Sequence, residues 1–320
     1  MRTLITCAAA VLIGQSALAD APKVVTDFGP VHSLVSMVMG DLGAPEVLLP
    51  MGGNAHDFQL RPSQAQSLAA ADLIIWVGPE MTPWLGRAMD GLGKGEGLAL
   101  LDAPGTLTRS FAETAEMAEG DADEHKGHDH ADEAKDEHAE EHEHSHDGVD
   151  PHAWLNPQNA QIWLGLIAEA LAAADPAQAA VYRANAVAAQ AKVDGIEAEA
   201  RAMLAPVEGK AFATNHAAYG YFVDHFGLKF AGSLRESDAA ASGAAHIAAL
   251  QKTLQEDGVV CLFPEANHSA ESVAQMAEAT GVRIGAPLDP EGTAIAPGAD
   301  LYGALLLGLA KSLADCMVAQ

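Results

Sequence analysis

The chain reads as α/β, with two lobes, each a mainly parallel sheet flanked by helices, joined by one long rigid helix. Three observations predict this. Short apolar runs alternate with helical patterns on both sides of residue 175. Two of those runs, 73–77 (LIIWV) and 259–263 (VVCLF), are apolar throughout, as strands buried on both faces are. Between the halves, the Ala-rich stretch 176–204 is helical in character and about 43 Å long at 1.5 Å per residue, a length that suits a strut.

Residues 1–19 form a signal peptide: Arg2 supplies the positive end, 4–14 the apolar region, and Ala17-Leu18-Ala19 an A-x-A cleavage site. Cleavage near Ala19/Asp20 would release the mature chain, and Cys7 falls inside the apolar region, away from any lipid-attachment position. No other stretch has the length and apolarity of a membrane span, since 301–313 is short and interrupted by glycine. The expected product is exported and soluble.

The first lobe is assigned to 20–174. It places strands at 23–27, 46–49, 73–77 and 97–101, and helices after Asp27 (apolar at Val31, Leu34, Val35 and Val38), at 63–70 and at 82–90. From 112 to 148 the pattern dissolves. Fifteen acidic residues face only Lys126 and Lys135 between Glu113 and Asp147, and seven histidines stand among them. Such a segment buries too little apolar surface to offset ordering, so a disordered His/Asp/Glu-rich insert is expected there. Order returns at D-P-H-A-W-L-N-P (150–157), where Pro151 stiffens the connector and Asn156-Pro157 opens a helix through 173. The linking helix takes 175–205, with Asp175 as its N-cap. The second lobe, 206–320, places strands at 210–214, 228–231, 259–263 and 282–284, and helices at 218–226, 244–256, 269–280 and 301–318.

The net charge of −27 argues against nucleic acid, which demands basic patches. Removing Cys7 leaves Cys261 and Cys316. In an oxidising compartment two remaining thiols most simply pair, and two buried free thiols are the alternative.

Four candidate metal ligands lie where open α/β sheets place their sites, at strand ends or in the loops that follow. His56 sits in the turn after strand 46–49, His152 on the Pro-stiffened connector, His216 after strand 210–214, and Asp289 in Leu288-Asp289-Pro290. Two belong to each lobe. Three neutral imidazoles with a carboxylate or water suit tetrahedral Zn²⁺, ahead of Mn²⁺ or Fe²⁺. His125, His128, His130, His138, His142, His144 and His146 form an auxiliary tract able to bind further Zn²⁺ in mobile shells. His32, His225, His246 and His268 have no ligand-like context.

The segments G-G-N-A-H-D-F-Q-L-R-P-S, D-P-H-A-W-L-N-P, T-N-H-A-A-Y-G-Y-F and P-L-D-P resemble the four metal-site segments of periplasmic binding proteins of zinc ABC importers, a cluster that includes manganese-binding members. The resemblance covers essentially the whole mature chain. It implies that His56, His152 and His216 are ligands and that Asp289 matches a carboxylate ligand of some members. Others use water or a carboxylate just before the first histidine, and Ala55 cannot fill that role here. It also implies a Cys261–Cys316 disulfide, capture without chemistry on the metal, and an inner-membrane zinc permease as partner, with other periplasmic zinc chaperones alongside. The expected state is a monomer. The alternatives are a manganese- or iron-binding protein of the same build and a mononuclear zinc hydrolase, for which the chain lacks H-E-x-x-H.

Overall fold

The structure is a computed structural model and describes residues 21–92, 94–95, 97–119, 148–235 and 242–318. The signal segment 1–19 and the histidines at 125, 128, 130, 138, 142, 144 and 146 lie outside the described residues.

The first sheet is built from β1 (Val24–Thr26), β2 (Glu46–Val47), β3 (Leu73–Trp76) and β4 (Leu98–Ala99), with α1 (Gly29–Met39), α2 (Pro62–Ala70) and α3 (Pro83–Leu92) between them. Its strand order is β2-β1-β3-β4, all parallel. Then come α4 (Phe111–Glu119), α5 (Pro157–Ala174) and the long α6 (Ala179–Leu204). The second sheet holds β5 (Ala211–His216), β6 (Lys229–Arg235), β7 (Cys261–Phe263) and β8 (Arg283–Ile284), with α7 (Gly220–Phe226), α8 (Ala244–Glu256) and α9 (Glu271–Thr280) between the strands and α10 (Leu301–Val318) closing the chain. Its order, β6-β5-β7-β8, is again all parallel. The fold class read from the sequence is the one observed.

One apolar core serves both halves. It runs from Val24 and Phe28 in the first lobe through Trp163, Tyr182 and Val193 to Leu305 and Met317 in the second. The buried stripe of α6, Tyr182, Ala186, Ala189, Val193, Ile196, Ala200 and Leu204, recurs at three- and four-residue steps, as one helix face requires. That face packs on α1 and α5 from one lobe and on α10 from the other. The strut is therefore cemented along its length.

Two local expectations are corrected. Asp175 does not cap the linking helix through its side chain: residues Pro176–Gln178 form a 3-10 turn, and Asp175 Oδ2 instead accepts the Tyr182 hydroxyl at 3.3 Å. The region expected to be disordered from 112 is helical as far as Glu119. Ser110 and Glu113 supply a capping box, with Glu113 Oε2 accepting the Ser110 N–H at 2.5 Å and Ser110 Oγ accepting that of Glu113 at 3.2 Å. Thr114 is buried, Met117 and Ala118 pack against the core, and the helix lies against β6 and α7 of the second lobe. This apolar face is short, and the acidic composition around it conceals it.

Cys261 of β7 and Cys316 of α10 form a disulfide across 55 residues of chain, and both are buried. Closing a loop of that size constrains the unfolded chain by roughly 4 kcal/mol. Urea unfolding of the protein with Cys261 and Cys316 both replaced by Ala is expected to show a loss of about that size. A loss below about 1 kcal/mol would mean the sheet and α10 are held by packing alone.

Asp27, fully buried after β1, joins two strand ends: its carboxylate accepts from the Phe28 N–H at 2.9 Å, the Val77 N–H at 2.9 Å and the Thr82 hydroxyl at 3.4 Å. Burial outweighs these bonds and pushes its pKa up to about 7 from 3.8. The folded state thus holds this proton more tightly than the unfolded state, so the contribution is complete below about pH 4 and is lost as pH rises to about 7. Unfolding of the metal-free protein across pH 4–8 should show the stability difference between wild type and Asp27→Asn shrinking over that window and flat above it. A difference independent of pH would show that Asp27 stays ionised.

Candidate metal centre

The carboxyl ends of the two sheets supply His56 and His216, and the connector before α5 supplies His152. His56 lies in the loop after β2, which turns at Gly52 in the left-handed region (φ 72°). Asn54 Oδ1 accepts the N–H groups of His56 at 2.9 Å and Asp57 at 3.3 Å, an Asx-type lock on the backbone. From behind, the Trp84 indole N–H donates to the buried Ala55 carbonyl at 2.7 Å. The loop is also tied to the other lobe, where the Thr293 carbonyl accepts the Gly52 N–H at 3.0 Å.

His152 sits on the connector, fully buried. Asp150 Oδ1 accepts both its backbone N–H at 3.0 Å and its ring Nδ1–H at 2.7 Å. Trp154, two residues on, stacks edge-on against Phe28 with centroids 4.8 Å apart and donates its indole N–H to the Pro290 carbonyl at 2.8 Å. Its own carbonyl accepts the Tyr302 hydroxyl at 2.9 Å. The connector is thus clamped by both lobes.

His216 ends β5 and is buried. Its Nδ1 lies 2.5 Å from Glu265 Oε2, and the other oxygen of that carboxylate accepts the Tyr219 hydroxyl at 2.9 Å. Burial, followed by the charge of Glu265, pushes the Tyr219 phenol well above its ordinary value, so it remains a donor.

These rings converge. The centroids of His56 and His152 are 5.9 Å apart, and those of His152 and His216 are 5.5 Å apart. The Nε2 atoms of all three are buried. In His152 and His216 the carboxylate accepts the Nδ1–H, the tautomer in which Nε2 carries the lone pair that can ligate a cation. Three buried imidazole nitrogens make a nitrogen-rich donor set, one fitted to Zn²⁺.

Asp289 is placed differently. Its carboxylate is folded into its own loop, accepting from the N–H and hydroxyl of Thr293 at 2.8 and 3.2 Å and the N–H of Ala294 at 2.8 Å. It lies beside the Glu265 strand end, since Leu288 pairs with Glu265.

Sequence reasoning assigned no ligand-like context to His268, yet the structure sets its ring 5.6 Å from that of His216. Ligand atoms of His216, Glu265 and His268 lie within 4.8 Å of one another. The Arg235 guanidinium, 3.4 Å from His268 Nδ1, adds positive charge on that side and disfavours a second cation there. Asp150, the support of His152, was likewise not singled out, although its place two residues before that histidine was the available signal. The other histidines among the described residues are structural: His32 donates to the Pro45 carbonyl at 3.2 Å, His246 to the Ser233 carbonyl at 2.7 Å, and His225 meets Glu197 at 3.0 Å on α6.

Comparison with known proteins agrees with this architecture. The family model described as the periplasmic component A of the zinc-uptake complex, ZnuA, matches residues 24–316. The high-affinity zinc uptake system protein ZnuA of Paracoccus denitrificans is 47% identical over 317 residues, covering 97% of each chain. Its counterpart in Brucella abortus is 37% identical over 323 residues, covering 95% of this chain and 94% of the relative. Among solved structures, a crystal structure of ZnuA aligns with a TM-score of 0.70 at 21% identity, over 92% of this chain and 99% of the other. A Cd-bound periplasmic metal-binding protein from Candidatus Liberibacter asiaticus aligns at 0.72 and 19%, with the same coverage. The two structural matches speak to the fold, and the sequence matches settle kinship: this chain belongs to the family of periplasmic component A proteins of zinc-uptake complexes.

Proposed function

We propose that this protein captures one Zn²⁺ ion between its two lobes and passes it, chemically unchanged, to the inner-membrane permease of a zinc ABC importer. The observation that carries the reading is the convergence of His56, His152 and His216, two of them anchored through Nδ1 by buried carboxylates. Family membership and the zinc-uptake relatives support the same cargo. Export by cleavage near Ala19/Asp20 and action as a monomer complete the reading. Water or Asp289 fills the fourth position, and the tract from His125 to His146 serves as an auxiliary zinc ligand outside the described residues.

The ion is cargo and not a catalyst. A hydrolytic zinc needs a free general base beside an open coordination position. Here the carboxylates nearest the imidazoles, Asp150 and Glu265, are bonded to ring nitrogens. Zinc is favoured over manganese because Mn²⁺ prefers more oxygen ligands than this nitrogen-rich set supplies. The continuous core along α6 makes loading a matter of small loop and lobe adjustments.

Competitive titration of the mature protein lacking residues 121–147 is expected to find one tight zinc per chain. His216→Ala in that background should weaken it at least about 100-fold, or roughly 2.7 kcal/mol. Weak binding once the tract is removed would make the tract the true receptor and overturn the three-histidine site. Uptake under zinc limitation should fall when the same residues are deleted, and unchanged uptake would remove the capturing role of the tract.

A further inference from the structure

The link from β5 into α7 carries Tyr219, Gly220 and Tyr221, and its two phenols go to two different imidazole supports. The Tyr219 hydroxyl donates to Glu265 Oε1 at 2.9 Å, while Oε2 of the same carboxylate meets His216 Nδ1. The Tyr221 hydroxyl donates to the Asp150 carbonyl at 2.9 Å and accepts the Arg109 N–H at 2.9 Å. Asp150 is the residue whose carboxylate holds His152. One phenol therefore stands behind His216 and the other behind His152. That of Tyr221 reaches across from the second lobe to the chain on both sides of residues 120–147.

Gly220 makes this reach possible. A Cβ at this position would sit 2.1 Å from Thr114 Oγ1 and 3.0 Å from Arg109 Nε, so only glycine allows α4 to approach the turn this closely. Its carbonyl also accepts from Arg109 Nη1 at 3.1 Å. Both tyrosines are buried. Burial first, and then the neighbouring carboxylates, push both phenols up, so each stays a donor at neutral pH.

We propose that Tyr219-Gly220-Tyr221 is the positioning element of the metal centre, with Tyr219 orienting His216 through Glu265 and Tyr221 fixing the His152 connector through the Asp150 backbone across the lobes. Neither tyrosine is a ligand. Removing the Tyr219 hydroxyl leaves a buried carboxylate oxygen without its donor and frees the carboxylate to turn away from His216. Removing that of Tyr221 unpins the connector from α7. The inference rests on the zinc reading above. It adds that the two histidines of the two lobes are set against each other by a single turn.

The test uses the full mature protein with Tyr219→Phe and Tyr221→Phe, and Tyr182→Phe as a control. Tyr182 is equally buried, and its hydroxyl donates to Asp175 at the α5–α6 junction. Zinc affinity by chelator competition, thermal stability, and the imidazole nitrogen chemical shifts of the metal-free protein would be measured for each. Loss of such supporting groups typically weakens metal binding about 10–100-fold. That loss is expected in Tyr219→Phe with altered shifts at His216, and in Tyr221→Phe with altered shifts at His152. Tyr182→Phe should lose comparable stability and bind zinc as wild type does. Wild-type affinity and shifts in both site variants would overturn the proposal, as would an equal affinity loss in Tyr182→Phe. The shifts are read without metal, so they test the positioning even if wild type takes up no zinc, a result that would sink the zinc reading instead.

Discussion

The imidazole–carboxylate hydrogen bond is the interaction on which the centre depends. A neutral histidine offers one lone pair, and which nitrogen carries it is decided by what the other nitrogen touches. Asp150 settles this for His152 and Glu265 for His216. Each carboxylate is buried, and burying a charge is expensive unless it is well bonded. The surroundings meet that demand: Asp150 also accepts the His152 backbone N–H, and Glu265 also accepts the Tyr219 hydroxyl. Taking away one of these partners leaves a charge or a dipole stranded in an apolar setting, so the cluster holds together as a unit.

The helical layer beneath the sheets makes that cluster durable. Two separate α/β lobes joined by a flexible linker would bring His56, His152 and His216 together only on closure, at an entropic cost drawn from the affinity. Here α1, α5, α6 and α10 share one core, and the cross-lobe bonds Trp154 to Pro290, Gly52 to Thr293 and Tyr302 to Trp154 are already formed. Much of the ordering has been completed at folding. As proposed, a preformed site of this kind would bind by desolvating the ion, and release would then require the site itself to be distorted.

The fold and the three histidines were legible in the sequence because both are written locally. Parallel strands buried on both faces announce themselves as apolar runs, His152 stands beside Pro151, which restricts the backbone, and His56 follows the Gly52-Gly53 turn signal. What stayed hidden is pairwise and distant. Trp84 meets Ala55 across 29 residues and Tyr221 meets Asp150 across 71; no spacing rule predicts such partners. His268 lies three residues beyond Glu265 on a turn and comes near His216 only because β7 pairs with β5. The helix at Phe111–Glu119 was obscured for a different reason. Its Ser110–Glu113 capping box is local, but its apolar face is short and is completed by β6 and α7 of the other lobe.

The placement of the carboxylates also bears on which ion the centre prefers. An acidic protein has no shortage of oxygen donors, and a site of Asp and Glu ligands would suit Mn²⁺ or Mg²⁺. In this chain the buried carboxylates Asp150 and Glu265 act through the imidazoles, and each oxygen of Asp289 accepts one backbone N–H, from Thr293 and Ala294. A dication held by the three imidazoles would thereby have negative charge close behind the nitrogen atoms that face it. A hard, oxygen-seeking cation gains the charge without the donors it prefers, whereas zinc gains both. In the proposed centre, selectivity would come from the order in which the groups are stacked, with imidazole toward the ion and carboxylate behind it.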